Sequence, residues 1–325
     1  MLSLPDFKYK QTAIHISGGS REKLRFKADN IVIENEEGKI IFQHSCHRIF
    51  ALFIIGETTL TTPAIHHAVN FGFPIIIMNR NMKVVARINS GAEGNTLLRQ
   101  KQYMLDENRR LEIAKALVEL KISNQAALLS QLRYLSEEDR RVRDELKHYN
   151  VNTVRNASEL LGVEGNAGKL FFSAYFRPLK WQRRAPRCRQ DINNLLLDIG
   201  YTYLFNFIEG LLCIYGFDVY CGVYHTFFYQ RKSLVCDMIE PFRCIIDRRL
   251  RKAHNLGQID ENDFFIQDHH YNLQWKYQQK YTRLFMKDII DEKESLFTFC
   301  RDYYRWFMKQ LPIEDFPKYE ILKGN

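Results

Sequence analysis

The chain has 325 residues, 46% hydrophobic and 26% charged, which fits a soluble globular protein too long for one small core, so two domains are expected. A net charge of +9 and a pI of about 9.1 favour a polyanionic partner, either nucleic acid or a membrane surface. The seven cysteines are odd in number and lack a C-x-x-C pair, which argues against a zinc knuckle and a disulfide framework and for small buried hydrophobes in a reducing compartment.

Residues 1–90 read as an N-terminal β-rich domain. "NIVIENEEGKIIFQHSCHRIFALFII" alternates or runs β-branched residues around a hairpin tip at Glu36-Glu37-Gly38-Lys39. "ETTLTTPAIHHAVNFG" predicts a short helix with Thr62 as N-cap, Pro63 at its first position and Gly72 as its stop. "FPIIIMN" and "KVVARI" follow as strands, giving a small α+β or β-sandwich unit. The polar, Gly-rich "NSGAEGN" places a hinge at 91–96.

Residues 97–325 read as a mainly α-helical domain, so the fold class is α+β. Apolar residues recur at helical spacing from Leu97 to about Leu311, with breaks expected near Gly162–Gly168, Pro178–Pro186, Gly216–Gly222 and Gly257. The greasiest segment, Leu195 to Gly216, is interrupted by Asp198, Asn206 and Glu209 and is not expected to span a membrane. Asp6, Lys8 and Lys10 fall where a secretory leader would be apolar, so a cytoplasmic location and no membrane partner are expected.

Three clusters in the helical half carry chemistry. In "LLGVEGNAGKLFFSAYF", Glu164 lies between Gly162 and Gly165 at an expected helix start, either an ordinary first-turn acid or one set where a ligand approaches closely. "FRPLKWQRRAPRCRQD" packs Arg177, Lys180, Arg183, Arg184, Arg187 and Arg189 around Trp181, with two prolines expected to hold it extended. Guanidinium forks suit phosphates and an indole can stack on a base; a cationic inter-helix loop is the alternative. "GFDVYCGVYHTFFYQRKSLVCDMIEPFR" brings His225, Asp237, Glu240 and Arg243 into apolar surroundings. Such acids are costly unless paired by a cation, an arginine or a metal. Pro241 disturbs the helix at Glu240. Asp263, Asp268, His269 and His270 form a further polar group, read as solvated, within a tail of closing helices. No G-x-x-x-x-G-K-[ST] phosphate loop occurs.

In order and spacing these motifs resemble the first-numbered family of CRISPR-associated proteins, the integrase/endonucleases that capture new spacers. The resemblance spans about residues 20–250, with Val219, Phe171 and Gly168 standing where the family usually has Pro, Tyr and Ala. It implies that Glu164, His225 and Glu240 bind one Mg²⁺ or Mn²⁺, with Asp237 beside them as a supporting acid. It also implies a homodimer formed through the N-terminal domain, assembly with the small second-numbered partner, and double-stranded DNA (prespacer and repeat) as substrate. Arg177, Lys180, Arg183, Arg184, Arg187, Arg189 and Arg243 are the expected DNA contacts. The expected reaction is attack of a 3′-hydroxyl on a repeat phosphodiester. A non-catalytic DNA-binding scaffold and a plain metal-dependent nuclease are the alternatives.

Overall fold

The structure is a computed structural model that describes residues 3–17, 21–80, 84–88, 94–179, 181–225 and 228–321. A short helix α1 (Leu4–Lys8), opened by a reciprocal Ser3–Asp6 capping box, leads into β1 (Gln11–Ile16). Then come β2 (Lys23–Lys27), β3 (Asn30–Glu34), β4 (Ile40–Ser45), β5 (Ile49–Ile55) and β6 (Thr59–Leu60). The expected hairpin tip joins β3 to β4. Gly38 there takes φ 78°, and the Asn35 side chain accepts from the N–H groups of Glu37 and Lys39.

Helix α2 (Thr62–Phe71) closes on Gly72 at φ 76°. Its N-cap is Thr61, one residue before the expected Thr62. The Thr61 hydroxyl donates to the Leu24 carbonyl at 3.2 Å and does not cap the helix. Next come β7 (Ile75–Met78) and β8 (Val84–Ile88).

These strands form two sheets. In one, ordered β1-β5-β7-β8, the first three strands run parallel and β8 is antiparallel. In the other, ordered β4-β3-β2-β6, the meander is antiparallel and β6 joins β2 in parallel. Parallel strands covered on both faces need unbroken apolar runs, which is why "IFALFII" is buried at every position. Leu52 and Ile54 pack with Leu24, Ile31, Ile33 and the α2 residues Ala64 and Ala68. Phe53 and Ile55 belong to the larger core of the helical half.

The helical half contains α3 (Thr96–Tyr103), α4 (Glu107–Ser130), α5 (Glu137–Lys147), α6 (Ala157–Tyr175), α7 (Ile192–Tyr215), α8 (Ser233–Met238) and α9 (Arg243–Asn255). A hairpin, β9 (Phe264–Gln267) and β10 (His270–Leu273), precedes α10 (Gln278–Asp291) and α11 (Lys293–Lys309). Of the expected hinge, 91–93 lie outside the described residues, and Asn95 caps α3 by accepting from Leu98 N at 3.3 Å.

Helix α7 is the core of this half. By length and composition alone it could cross a bilayer, yet 83% of its most apolar window is buried in the fold. Gly200 makes its close packing possible, since a Cβ there would lie 2.5 Å from Ile246 Cγ2 and 2.9 Å from Phe285 Cδ1. The Phe50–Phe207 rings, with centroids 5.1 Å apart, tie α7 to β5.

Two expectations are corrected here. No break occurs at Gly162–Gly168, because α6 runs straight through and is anchored by buried Leu160, Ala167, Phe171 and Ala174. The tail is not wholly helical. Asp268 and His269 form a positive-φ tip between β9 and β10, as a tight hairpin requires. Asp263 is instead buried, accepting from Lys280 at 2.5 Å and Tyr281 at 2.8 Å.

Candidate active site

Asp237 sits on α8 with its carboxylate fully buried. Its Oδ2 accepts the backbone N–H groups of Val223 (2.6 Å) and Tyr224 (3.1 Å). Its Oδ1 accepts the His225 N–H (2.9 Å) and faces His225 Nδ1 (2.6 Å). A buried carboxylate needs such donors, and the loop after α7 supplies them. Gly222 allows the approach, because a Cβ there would lie 2.7 Å from Asp237 Oδ2 and 2.8 Å from the Ser233 carbonyl carbon. Gln102 holds the loop through Asp218 and Cys221, and Arg110 donates to the Gly222 carbonyl at 2.6 Å. A carboxylate facing His225 Nδ1 favours the tautomer that carries its proton there, which in the neutral ring puts the lone pair on Nε2.

Pro241 stops α8 at Met238 and puts Glu240 in a one-turn 3₁₀ segment. Asp237 and Glu240 therefore do not share one regular helix face. Glu240 is gripped by Arg243, Nε to Oε2 and Nη2 to Oε1, both at 2.8 Å. Its Oε2 also lies 2.7 Å from Lys121 Nζ of α4. The same ammonium donates to Glu164 Oε1, and Glu164 Oε2 accepts from the Tyr224 hydroxyl at 2.6 Å.

Glu164 stands two turns into α6, not at its start. Asn156 caps that helix and Glu159 is its first-turn acid, so the dipole argument does not apply to Glu164. Gly162, Gly165 and Gly168 have open space where a Cβ would be.

Four remote segments thus meet: α4 (Lys121), α6 (Glu164), the loop of Tyr224 and His225, and the α8–α9 junction (Asp237, Glu240, Arg243). Burial by itself would raise the Glu240 carboxyl, but Arg243 and Lys121 outweigh it and hold that carboxyl well below its usual range. Burial would likewise lower Lys121, but Glu240 and Glu164 outweigh it and raise the ammonium above its ordinary value. Burial, then the Glu164 charge, keeps the Tyr224 phenol protonated far above its usual range.

The donor chemistry here suits a hard divalent cation: two carboxylates, an imidazole lone pair on Nε2, and a carboxylate fixing the imidazole from behind. A positive group already stands between the carboxylates, the Lys121 ammonium. Among the described residues no three His, Cys, Asp or Glu side chains are close enough together to hold an ion as they stand.

The basic segment is not an extended strand. Arg177–Leu179 form a 3₁₀ turn, and Arg187 and Arg189 take positive φ. Arg177 is tied to Glu138 and Asp139 at 3.0 Å each. Arg184 pairs with Asp198 at 2.5 Å and Asn194 at 2.8 Å, and Arg189 donates to Asn272 at 2.9 Å. Arg183 and Arg187 are exposed, and Lys180 lies outside the described residues. Arg243 stacks over Tyr201, its guanidinium carbon 4.7 Å from the ring centroid. Trp181 packs edge-on against Phe172 (5.2 Å) and Phe176 (4.9 Å), so its indole is a core contact and not a free stacking face.

Lys121, Tyr224, Gln102 and Arg110 have no role that the sequence alone assigns. Lys121 does carry a legible signal, since it interrupts the α4 stripe of Leu117, Val118, Ile122 and Gln125, all buried.

The fold, a strand-rich unit with a mixed sheet followed by a helical unit, is similar to that of solved chains from DNA-integration and CRISPR assemblies. A chain of a Cas6-RT-Cas1–Cas2 complex superposes with TM-score 0.79 at 22% identity, over 97% of this chain and 36% of that one. A casposase bound to integration product gives TM-score 0.78 at 20% identity, over 97% and 96% of the two chains. The family model of CRISPR associated protein Cas1 matches residues 18–287. A CRISPR-associated endonuclease Cas1 from Thermodesulfovibrio yellowstonii is 31% identical over 224 residues, 64% of this chain and 70% of the relative. The chain belongs to the Cas1 family of CRISPR-associated proteins.

Proposed function

We propose that this protein is a metal-dependent DNA integrase/endonuclease of CRISPR adaptation, joining the 3′-hydroxyl of a short duplex to a phosphodiester of the repeat. The observation that carries the reading is the meeting of Glu164, Glu240 and the His225 loop, drawn from remote parts of the chain around one cationic position. Family membership supports it, as do the relative named an endonuclease and the fold likeness to a casposase on its integration product.

In this reading Glu164, Glu240 and His225 Nε2 hold Mg²⁺ or Mn²⁺, which when bound polarises the scissile phosphate and steadies charge on the leaving oxygen. The chain's own residues do the rest. Asp237 keeps the imidazole Nδ1 protonated and its ring fixed. Arg243 keeps Glu240 ionised. The Tyr224 hydroxyl orients Glu164. Exposed Arg183 and Arg187 are the best placed of the basic loop to meet backbone phosphates. One P–O bond forms as another breaks, so strand transfer needs no nucleotide fuel, and water in place of the hydroxyl gives hydrolysis.

The working unit is proposed to be a cytoplasmic homodimer that pairs with a Cas2-type partner. The likeness to a chain of the Cas6-RT-Cas1–Cas2 complex supports that pairing. The contacts of both glutamates with Lys121, and of Glu240 with Arg243, also suit the rival reading, a DNA-binding scaffold whose acids are only structural.

The test is incubation of labelled duplex and a repeat-bearing plasmid with Mn²⁺. Wild type is expected to yield joined product and Glu164→Ala none. Joining by Glu164→Ala contradicts the metal assignment, and shortened products without joining indicate a plain nuclease.

A further inference from the structure

We propose that Lys121 is a built-in competitor for the divalent cation: its ammonium occupies the cation seat between the two glutamates and must swing away before an ion can bind. The inference rests on the reading that Glu164, His225 and Glu240 hold the metal.

The Lys121 side chain is 13% exposed, and its helix neighbours Leu117, Val118 and Ile122 are buried in the core. An ammonium in that setting must be compensated, and α6 and the α8–α9 junction each send it a carboxylate. The two partners are not equivalent. Glu240 has a second cation on both oxygens, the planar fork of Arg243. Glu164 has Lys121 on Oε1 and a neutral phenol, Tyr224, on Oε2. Lys121 joins Glu164 Oε1 and Glu240 Oε2 and so fills the gap between the two carboxylates. A divalent ion seated between the two carboxylates would compete with the ammonium for these oxygens. Ammonium and ion cannot share them at about 3 Å separation, because like charges that close repel by several kcal/mol even at an effective dielectric of about 20.

The residue type fits a group that gives way. Lysine is a point charge on a flexible four-carbon stem, whereas an arginine fork would be locked to its carboxylate. Arg243, the locked cation, holds the oxygens of its own Glu240 and does not join the two acids. Lys121 therefore holds the two carboxylates in place across one cation before the ion arrives, and lowers the site's affinity for it.

The test is calorimetric titration of Mn²⁺ into the full chain as wild type, Lys121→Met, Lys121→Arg and Glu164→Ala. Removing the competitor leaves two facing carboxylates, so Lys121→Met is expected to bind Mn²⁺ about tenfold or more tightly than wild type. Lys121→Arg is expected to bind it more weakly. Without added metal, Lys121→Met should also melt lower than wild type and gain more from saturating Mn²⁺. If Lys121→Met does not fold without metal, Lys121→Arg decides alone, and affinity equal to or above wild type overturns the proposal. Equal or weaker binding by folded Lys121→Met, where wild type binds and Glu164→Ala does not, overturns the competitor role while leaving the metal site standing. Wild type binding no more Mn²⁺ than Glu164→Ala overturns the metal reading and the proposal with it.

Discussion

His225 Nδ1 lies 2.6 Å from Asp237 Oδ1, and the same buried carboxylate accepts the backbone N–H groups of Val223, Tyr224 and His225. One acid thus shapes the loop and sets the imidazole tautomer. Asp237→Asn replaces an acceptor with an NH₂ that faces N–H donors. Joining activity is expected to fall about 10- to 100-fold, the usual cost of losing a ligand's outer partner. Amide exchange of residues 223–225 should accelerate. Slow exchange together with lost activity would mean that Asp237 acts on the chemistry directly.

Gly222 gives a steric test of the same loop. A methyl group would meet Asp237 Oδ2 and the Ser233 backbone below 3 Å. Since backbone cannot give way cheaply, Gly222→Ala is expected to destabilise the fold by about 1–3 kcal/mol in urea unfolding and to abolish joining. Gly165→Ala is the control, because open space surrounds that position.

A buried ion triad links the sheet domain to the site. Arg87 of β8 lies 2.6 Å from Glu209 of α7, and Lys232, immediately before α8, lies 2.8 Å from the other Glu209 oxygen. Glu209→Gln leaves two cations against a neutral amide, with an expected loss of about 3–5 kcal/mol by urea unfolding. The Arg87→Met, Glu209→Leu pair should lose less than Glu209→Gln alone. An additive double-mutant cycle would show the triad to be energetically idle.

Asp247 of α9 accepts from Tyr201 at 2.5 Å through Oδ1, while Oδ2 has no hydrogen-bond partner among the described residues. Burial, opposed by Tyr201 and Arg243, raises its carboxyl to about 7. A folded-state value above the unfolded one means that the native chain keeps a proton which the unfolded chain loses from about pH 4 upward. The stability Asp247 contributes is therefore full below that range and lost as pH rises towards 7. Asp247→Asn should match wild type near pH 4 and become the more stable of the two by pH 8, read by urea unfolding at both values. A gap that does not change with pH would contradict a protonated Asp247.

The run of strands, one helix and further strands along the chain, the α2 stop at Gly72 and the apolar run of β5 were legible because periodicity and turn chemistry are local. The break at Pro241 was legible for the same reason. The grouping of Glu164, His225 and Glu240 came from family resemblance, since the sequence alone left Glu164 open as an ordinary first-turn acid and the acids after His225 open to pairing by an arginine. What stayed hidden depends on packing. Three glycines looked like a break in α6, but a buried stripe on its other face holds the helix together. The β9–β10 hairpin is made of four-residue strands too short for a period to show. Most of the arginine loop reads as a DNA surface until Asp139, Asp198 and Asn272, far apart in the chain, claim its guanidinium groups.

The central claim is that Glu164, His225 and Glu240 ligate one divalent cation. Anomalous diffraction at the manganese edge from Mn²⁺-soaked crystals tests it most directly. The account predicts one peak within about 2.0–2.3 Å of a Glu164 oxygen, a Glu240 oxygen and His225 Nε2, with Lys121 turned out of the gap. A map with no peak there, and Lys121 still joining the two carboxylates at saturating Mn²⁺, would contradict it.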